Sequence, residues 1–112
     1  MLGHVSLRVA NREESANFYL QALAPLSYTA MQFSEVTGIG PSDSSVPIPN
    51  LWLRQYAPKE GDDFAKPTPI HISFYVEERL LVDEFYTKAL AAGGTDNGQP
   101  GVRPFFPNYY GK

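Results

Sequence analysis

The side chains best equipped for chemistry in this chain are two histidines, and they are placed alike. His4 and His71 are the only histidines among 112 residues. Each opens an alternating hexapeptide: His4-Val5-Ser6-Leu7-Arg8-Val9 falls on His71-Ile72-Ser73-Phe74-Tyr75-Val76 when the chain is slid along itself by 67 residues. In both, apolar residues occupy every second position, the period of a half-buried strand. The other face then carries His, Ser and Arg in one copy and His, Ser and Tyr in the other. That set is odd for a core and reasonable for a ligand cavity. Arg8 can pair there with an anionic group or stay in solvent. Tyr75 can hydrogen-bond a ligand or fill the cavity floor. Trp52, the only tryptophan, can pack or stack on a flat ligand. Cysteine is absent, which excludes thiolate metal sites, cysteine nucleophiles and disulfides.

The elements that position these residues repeat as well. Across positions 4–23 and 71–90, eight of twenty pairs are identical, where about one or two would match by chance, so the similarity reads as an internal repeat. Each copy is a strand followed by a helix. The first helix begins near Asn11, with Glu14 three residues on in a capping-box arrangement, and ends before Pro25. The second runs from about 78 to 92, with Val82, Phe85, Tyr86, Ala89 and Leu90 as one apolar stripe, and Gly93-Gly94 ends it. That stripe reads as packing. Strand-like stretches follow the first helix at 26–33, 35–39 and 51–56, separated by a loop at 40–49. The expected class is α+β, one domain over 1–112. A first module occupies about 1–56, a linker 57–69, and a second module 70–112.

The second module is expected to be incomplete. The first copy spans 67 residues from His4 to Ile70, the second only 42 from His71 to Lys112. After the second helix come a Pro-rich bend at 100–107 and a strand beginning near Tyr109. An open sheet edge would expose unpaired backbone groups, so a homodimer is expected. Nine Lys+Arg against twelve Asp+Glu give a net charge of −3, which argues against nucleic acid as a partner. No apolar run approaches a membrane span, and the N-terminus lacks a secretory pattern. The expectation is a cytoplasmic domain whose ligand is a small molecule.

In order, spacing and repeat, the chain resembles the vicinal oxygen chelate superfamily, which includes glyoxalase I, extradiol dioxygenases, fosfomycin-resistance proteins and bleomycin-resistance proteins. The carrying features are His4-x-Ser6-x-Arg8-Val9, then Ala16-x-Phe18-Tyr19-x-x-Ala22-Leu23, then Leu51-Trp52-Leu53-Arg54. His71-Ile72-Ser73-Phe74-Tyr75-Val76 opens the second unit, and Pro104-Phe105-Phe106-Pro107-Asn108-Tyr109-Tyr110-Gly111 closes the chain's resemblance. The resemblance implies paired βαβββ modules around a cavity with one divalent metal (zinc, nickel, iron, cobalt or manganese). His4 and His71 match the two first-strand ligand positions. In 51–55 the only donor is Gln55, and the family's closing carboxylate has no counterpart after Gly111. A metal site of this kind normally takes three protein ligands, so the set is incomplete. No catalytic residue is assigned. The carboxylate nearest by topology, Glu35, is expected at the surface. For complete relatives the resemblance implies a metal-dependent lyase, isomerase or dioxygenase. For this chain it leaves three readings: such an enzyme with its site completed, a metal-free bleomycin-resistance-like dimer in which Trp52, Tyr75 and Tyr109 matter and the His pair does not, or a fragment without function of its own.

Overall fold

Val5–Val9 form strand β1, in which Val5, Leu7 and Val9 are half-buried and Ser6 and Arg8 exposed. The alternation read from the sequence is the alternation observed. Helix α1, Arg12–Ala22, follows at once. The Asn11 side chain accepts a hydrogen bond from the Glu14 backbone N–H at 3.0 Å, satisfying one of the donors a helix start leaves unpaired. Pro25 ends the α-helix and opens a short 3-10 turn, Ala24–Leu26. Its fixed φ suits the first positions of such a turn. Ser27 closes the turn with a φ of 58°, and β2 therefore spans Tyr28–Gln32, two residues later than the expected start at 26.

Strand β3, Val36–Pro41, extends beyond the expected 35–39 into what reads as loop. Gly38 and Gly40 look like breakers, yet both are buried ladder positions under Pro49. Strand β4 is Leu51–Gln55. The computed structural model describes residues 2–43, 45, 48–61 and 69–112, so parts of the connections expected at 40–49 and 57–69 lie outside the described residues.

The four strands form one mixed sheet in the order β1-β4-β3-β2. β1 runs parallel to β4, and the β4–β3 and β3–β2 pairs are antiparallel. One face packs on α1. Ala16, Leu23, Ile39, Leu51 and Leu53 are the buried cluster there. Removing a leucine of this kind from water is worth about 2 kcal/mol. Thr37 is also buried, and its hydroxyl donates to Gln32 Oε1 at 2.8 Å, which offsets the loss of water.

The second repeat keeps its pattern and departs from its expected structure. Ile72, Phe74 and Val76 are half-buried and His71, Ser73 and Tyr75 exposed, but 71–76 joins no sheet. A strand exists only through a ladder neighbour. β1 has β4, and among the described residues 71–76 has none. Its apolar side instead reaches the first unit: Phe74 stands perpendicular to Tyr28 at 5.7 Å, and Ile72, Phe74 and Phe85 pack on the buried cluster. Helix α2, Arg79–Ala91, packs on α1 and on the 24–26 turn. Arg12 and Arg79, equivalent by the repeat, are each the first residue of a helix. Gly93, at φ 104°, ends α2 as its position suggests.

The chain closes with two short paired strands, β5 (Gly101–Val102) and β6 (Tyr110–Gly111). Two phenols tie this tail to α2. Tyr110 Oη donates to Asp83 at 2.7 Å, and Tyr86 Oη donates to Asp96 at 2.9 Å. The architecture is α+β.

Candidate ligand-binding face

Strand parity gathers one set of side chains on the sheet face away from α1. Because β1 and β4 are parallel and in register, Ser6 lies beside Trp52 and Arg8 beside Arg54. Across β3, Gly38 lies beside Trp52 and Val36 beside Arg54. Ser6, Arg8 and Arg54 are exposed and Trp52 half-buried. The opposite parity (Leu51, Leu53, Ile39, Thr37) is the buried side.

Trp52 is held between two aromatic neighbours. The Phe33 ring lies 5.6 Å away and tilted. The His4 ring lies 6.3 Å away, edge-on. The indole N–H donates to the Pro49 carbonyl at 3.2 Å, so the polar tip of the side chain is satisfied while its ring faces outward. Phe33 is half exposed and sits at the β2–β3 turn, which the Arg12 guanidinium braces through the carbonyls of Phe33 and Ser34. Gly38 makes room for this arrangement: a Cβ there would meet Pro49 Cγ at 2.7 Å and Trp52 Cη2 at 3.1 Å. The result is an aromatic platform bordered by two arginines. Such a platform can stack a flat molecule and pair an anionic group.

The residues singled out from sequence divide between two places. His4, Arg8 and Trp52 share the open sheet face. Tyr75 does not join them. It is largely exposed and borders a cavity of about 480 Å³ between 72–76, α2 and β6, lined by Ile72, Phe74, Val82, Phe85 and Tyr110. His71 is exposed at the head of the unpaired segment. Gln55 works as a structural tie. Its Oε1 accepts the Arg12 backbone N–H at 3.0 Å, and its Nε2 donates to the Ala10 carbonyl at 2.6 Å. Both ends of the amide thus fasten β4 to the β1–α1 joint, so Gln55 does not fit the role of third metal ligand. Among the described residues no group of three or more His, Asp or Glu side chains stands together to hold a metal ion, and no helix is long and apolar enough to cross a membrane.

Sequence reasoning missed Arg54 and Phe33. Arg54 was within reach, since it shares strand parity with Trp52. Phe33 was not, because its approach to Trp52 depends on how β2 and β4 are ordered in the sheet.

No protein-family model matches the chain, and no curated protein matches it. Among solved structures it is similar to the hypothetical protein SA1046 from S. aureus, at 23% identity over 88% of this chain and 75% of that one, with a TM-score of 0.57. At that identity the likeness is one of fold.

Proposed function

We propose that this chain is a small-molecule-binding module of the glyoxalase and bleomycin-resistance (vicinal oxygen chelate) type, holding a planar ligand on the open sheet face without a bound metal. The strand order β1-β4-β3-β2 around one parallel pair and the internal repeat support the family reading. The observation that carries the binding reading is the Trp52 platform: a half-exposed indole fixed by Pro49 and flanked by Phe33 and His4, beside the exposed Ser6 and Arg8. Function is argued from this site, because a fold of this kind serves many chemistries. In metal-dependent members of that superfamily the positions of His4 and His71 would help hold a divalent metal that polarises a substrate oxygen. In this chain the Gln55 amide is committed to Arg12 and Ala10.

The second part of the proposal is a homodimer. In the first unit, Ile39, Leu51 and Leu53 of β3 and β4 form the buried cluster with Ala16 of α1, and Leu7 and Val9 of β1 pack against it. The equivalent space between 71–76 and α2 is the 480 Å³ cavity, and a second copy covers it.

Trp52 is its own reporter. A neutral planar probe, 2-naphthamide, should quench and shift its emission saturably, equally with and without EDTA, and Trp52→Leu should abolish binding measured by calorimetry. Binding that appears only with added nickel or zinc, and is lost in His71→Ala, would overturn this reading in favour of metal-dependent chemistry.

A further inference from the structure

Two cations stand side by side on the open face with no acidic partner among the described residues. Arg8 and Arg54 are register partners in a parallel pair, so their side chains leave the same face of the sheet from Cα atoms roughly 5 Å apart. Like charges directly opposite one another in a sheet are destabilising. Neither arginine takes part in an ion pair or side-chain hydrogen bond among the described residues. The chain does not lack acids, with twelve Asp and Glu against nine Lys and Arg. Glu35 even precedes Val36, the β3 register partner of Arg54, yet it does not pair with that arginine. Among the described residues, the acids whose carboxylates make polar contacts are engaged elsewhere, Asp83 by Tyr110 of the tail and Asp96 by Tyr86 of α2.

An unneutralised guanidinium pair next to an aromatic platform has a specific complement. Guanidinium forks match the two oxygens of a carboxylate, and charge-assisted bonds of this kind are the strong ones. The Trp52 ring, one same-face pair along β4 from Arg54, and the Phe33 ring 5.6 Å from it at the β2–β3 turn offer stacking surface. We infer that the ligand class is an aromatic carboxylic acid, its ring over Trp52 and its carboxylate shared between Arg8 and Arg54. This rests on the open-face reading above and adds the charge of the ligand to it. It also gives Arg54 a role that the sequence alone did not suggest.

The test compares 2-naphthoate with 2-naphthamide, which have the same ring and differ in charge, by calorimetry and Trp52 emission at low salt. The expected result is a preference for the acid of about 10-fold or more, as for hydrogen bonds to charged groups. That preference should shrink in Arg8→Gln and in Arg54→Gln and fall with added sodium chloride. The amide should bind the variants and the parent alike, which also reports that the variants are folded. Inorganic phosphate should compete only weakly, since it carries no ring. Equal affinity for acid and amide would overturn the inference and leave the platform reading standing. A preference that survives both substitutions would place the anion contact elsewhere and overturn it too. Competition by phosphate as strong as by naphthoate would make this a bare anion site and overturn the aromatic assignment. Failure of both naphthyl probes to bind would overturn this inference and the open-face reading together.

Discussion

A methyl group at position 38 would press on Pro49 at 2.7 Å and on the Trp52 ring at 3.1 Å. Gly38→Ala is therefore expected to destabilise the protein by about 1–3 kcal/mol, as overpacking does, and to move Trp52 emission as Pro49 is pushed off the indole. Urea unfolding followed by fluorescence measures both. An unchanged midpoint with unchanged emission would mean that Pro49 yields freely. At this scale the sequence was legible where partners are close. The Asn11 cap could be read because its donor partner, the Glu14 backbone N–H, lies three residues on, and the outward parity of Arg8 follows from its neighbours. Gln55 was misread as a metal donor because its partners, Ala10 and Arg12, lie 45 and 43 residues earlier. No local pattern announces such a contact. Arg8 could be singled out, but its pairing with Arg54 could not, since only the parallel ladder sets them abreast.

The tail on α2 shows how an element can be held by a few titrating bonds. Asp96 has its carboxyl held below the usual 3.8, first by the backbone N–H of Gly98 and then by the Tyr86 hydroxyl, with Lys112 adding to it. Its contribution is therefore complete above that value and is lost as pH falls through the lowered one. Tyr86 and Tyr110 are shifted the other way. Their hydrogen bonds to Asp96 and Asp83 raise both phenols above the usual 10.0. Their contribution is complete below 10.0 and is lost as pH rises through the raised values. The Tyr86–Asp96 and Tyr110–Asp83 bonds should thus both be intact across the neutral range. Hydrogen exchange of 108–112 along a pH series rising from 7, corrected for intrinsic rates, should show protection that is kept up to 10.0 and lost as pH rises through the raised value of Tyr110. Protection that persists once the phenol has ionised would mean that the Tyr110 hydroxyl does not hold the tail. Among the elements, helix starts and stops were the most legible, because caps and Pro25 act locally. The segment 71–76 was legible in its alternation and not in its pairing. A period of two states which side is buried, while a ladder requires a neighbour that the pattern does not name.

The whole molecule is larger than its mass requires. Its accessible surface is 8363 Å², against about 6,100 Å² for a compact monomer of this mass. Its radius of gyration is 15.2 Å, against roughly 13 Å for a domain of this length. The excess surface exceeds the roughly 800 Å² that each partner contributes to an ordinary stable interface. Most of the exposed large apolar side chains of the described residues fall in the second half, among them Ile70, Tyr75, Leu80, Phe105 and Phe106, which is where the proposed dimer would bury them. Sedimentation at rising concentration should reveal a dimer, and Tyr75→Glu with Phe105→Glu should shift it to monomer. A parent that stays monomeric at high concentration would refute the dimer. At this scale the sequence yielded the α+β class and the repeat, but not that the second unit leans on the core of the first. That core has an order in time as well as in space. Among the described residues every fully buried side chain lies between Ala16 and Leu53, and α2 supplies none. β1 must wait for Leu51–Gln55 before it has a parallel neighbour. A chain leaving the ribosome therefore carries an unmatched first strand through some fifty residues of synthesis. The core that then gathers still has a side that waits for Ile72, Phe74 and Phe85 to arrive.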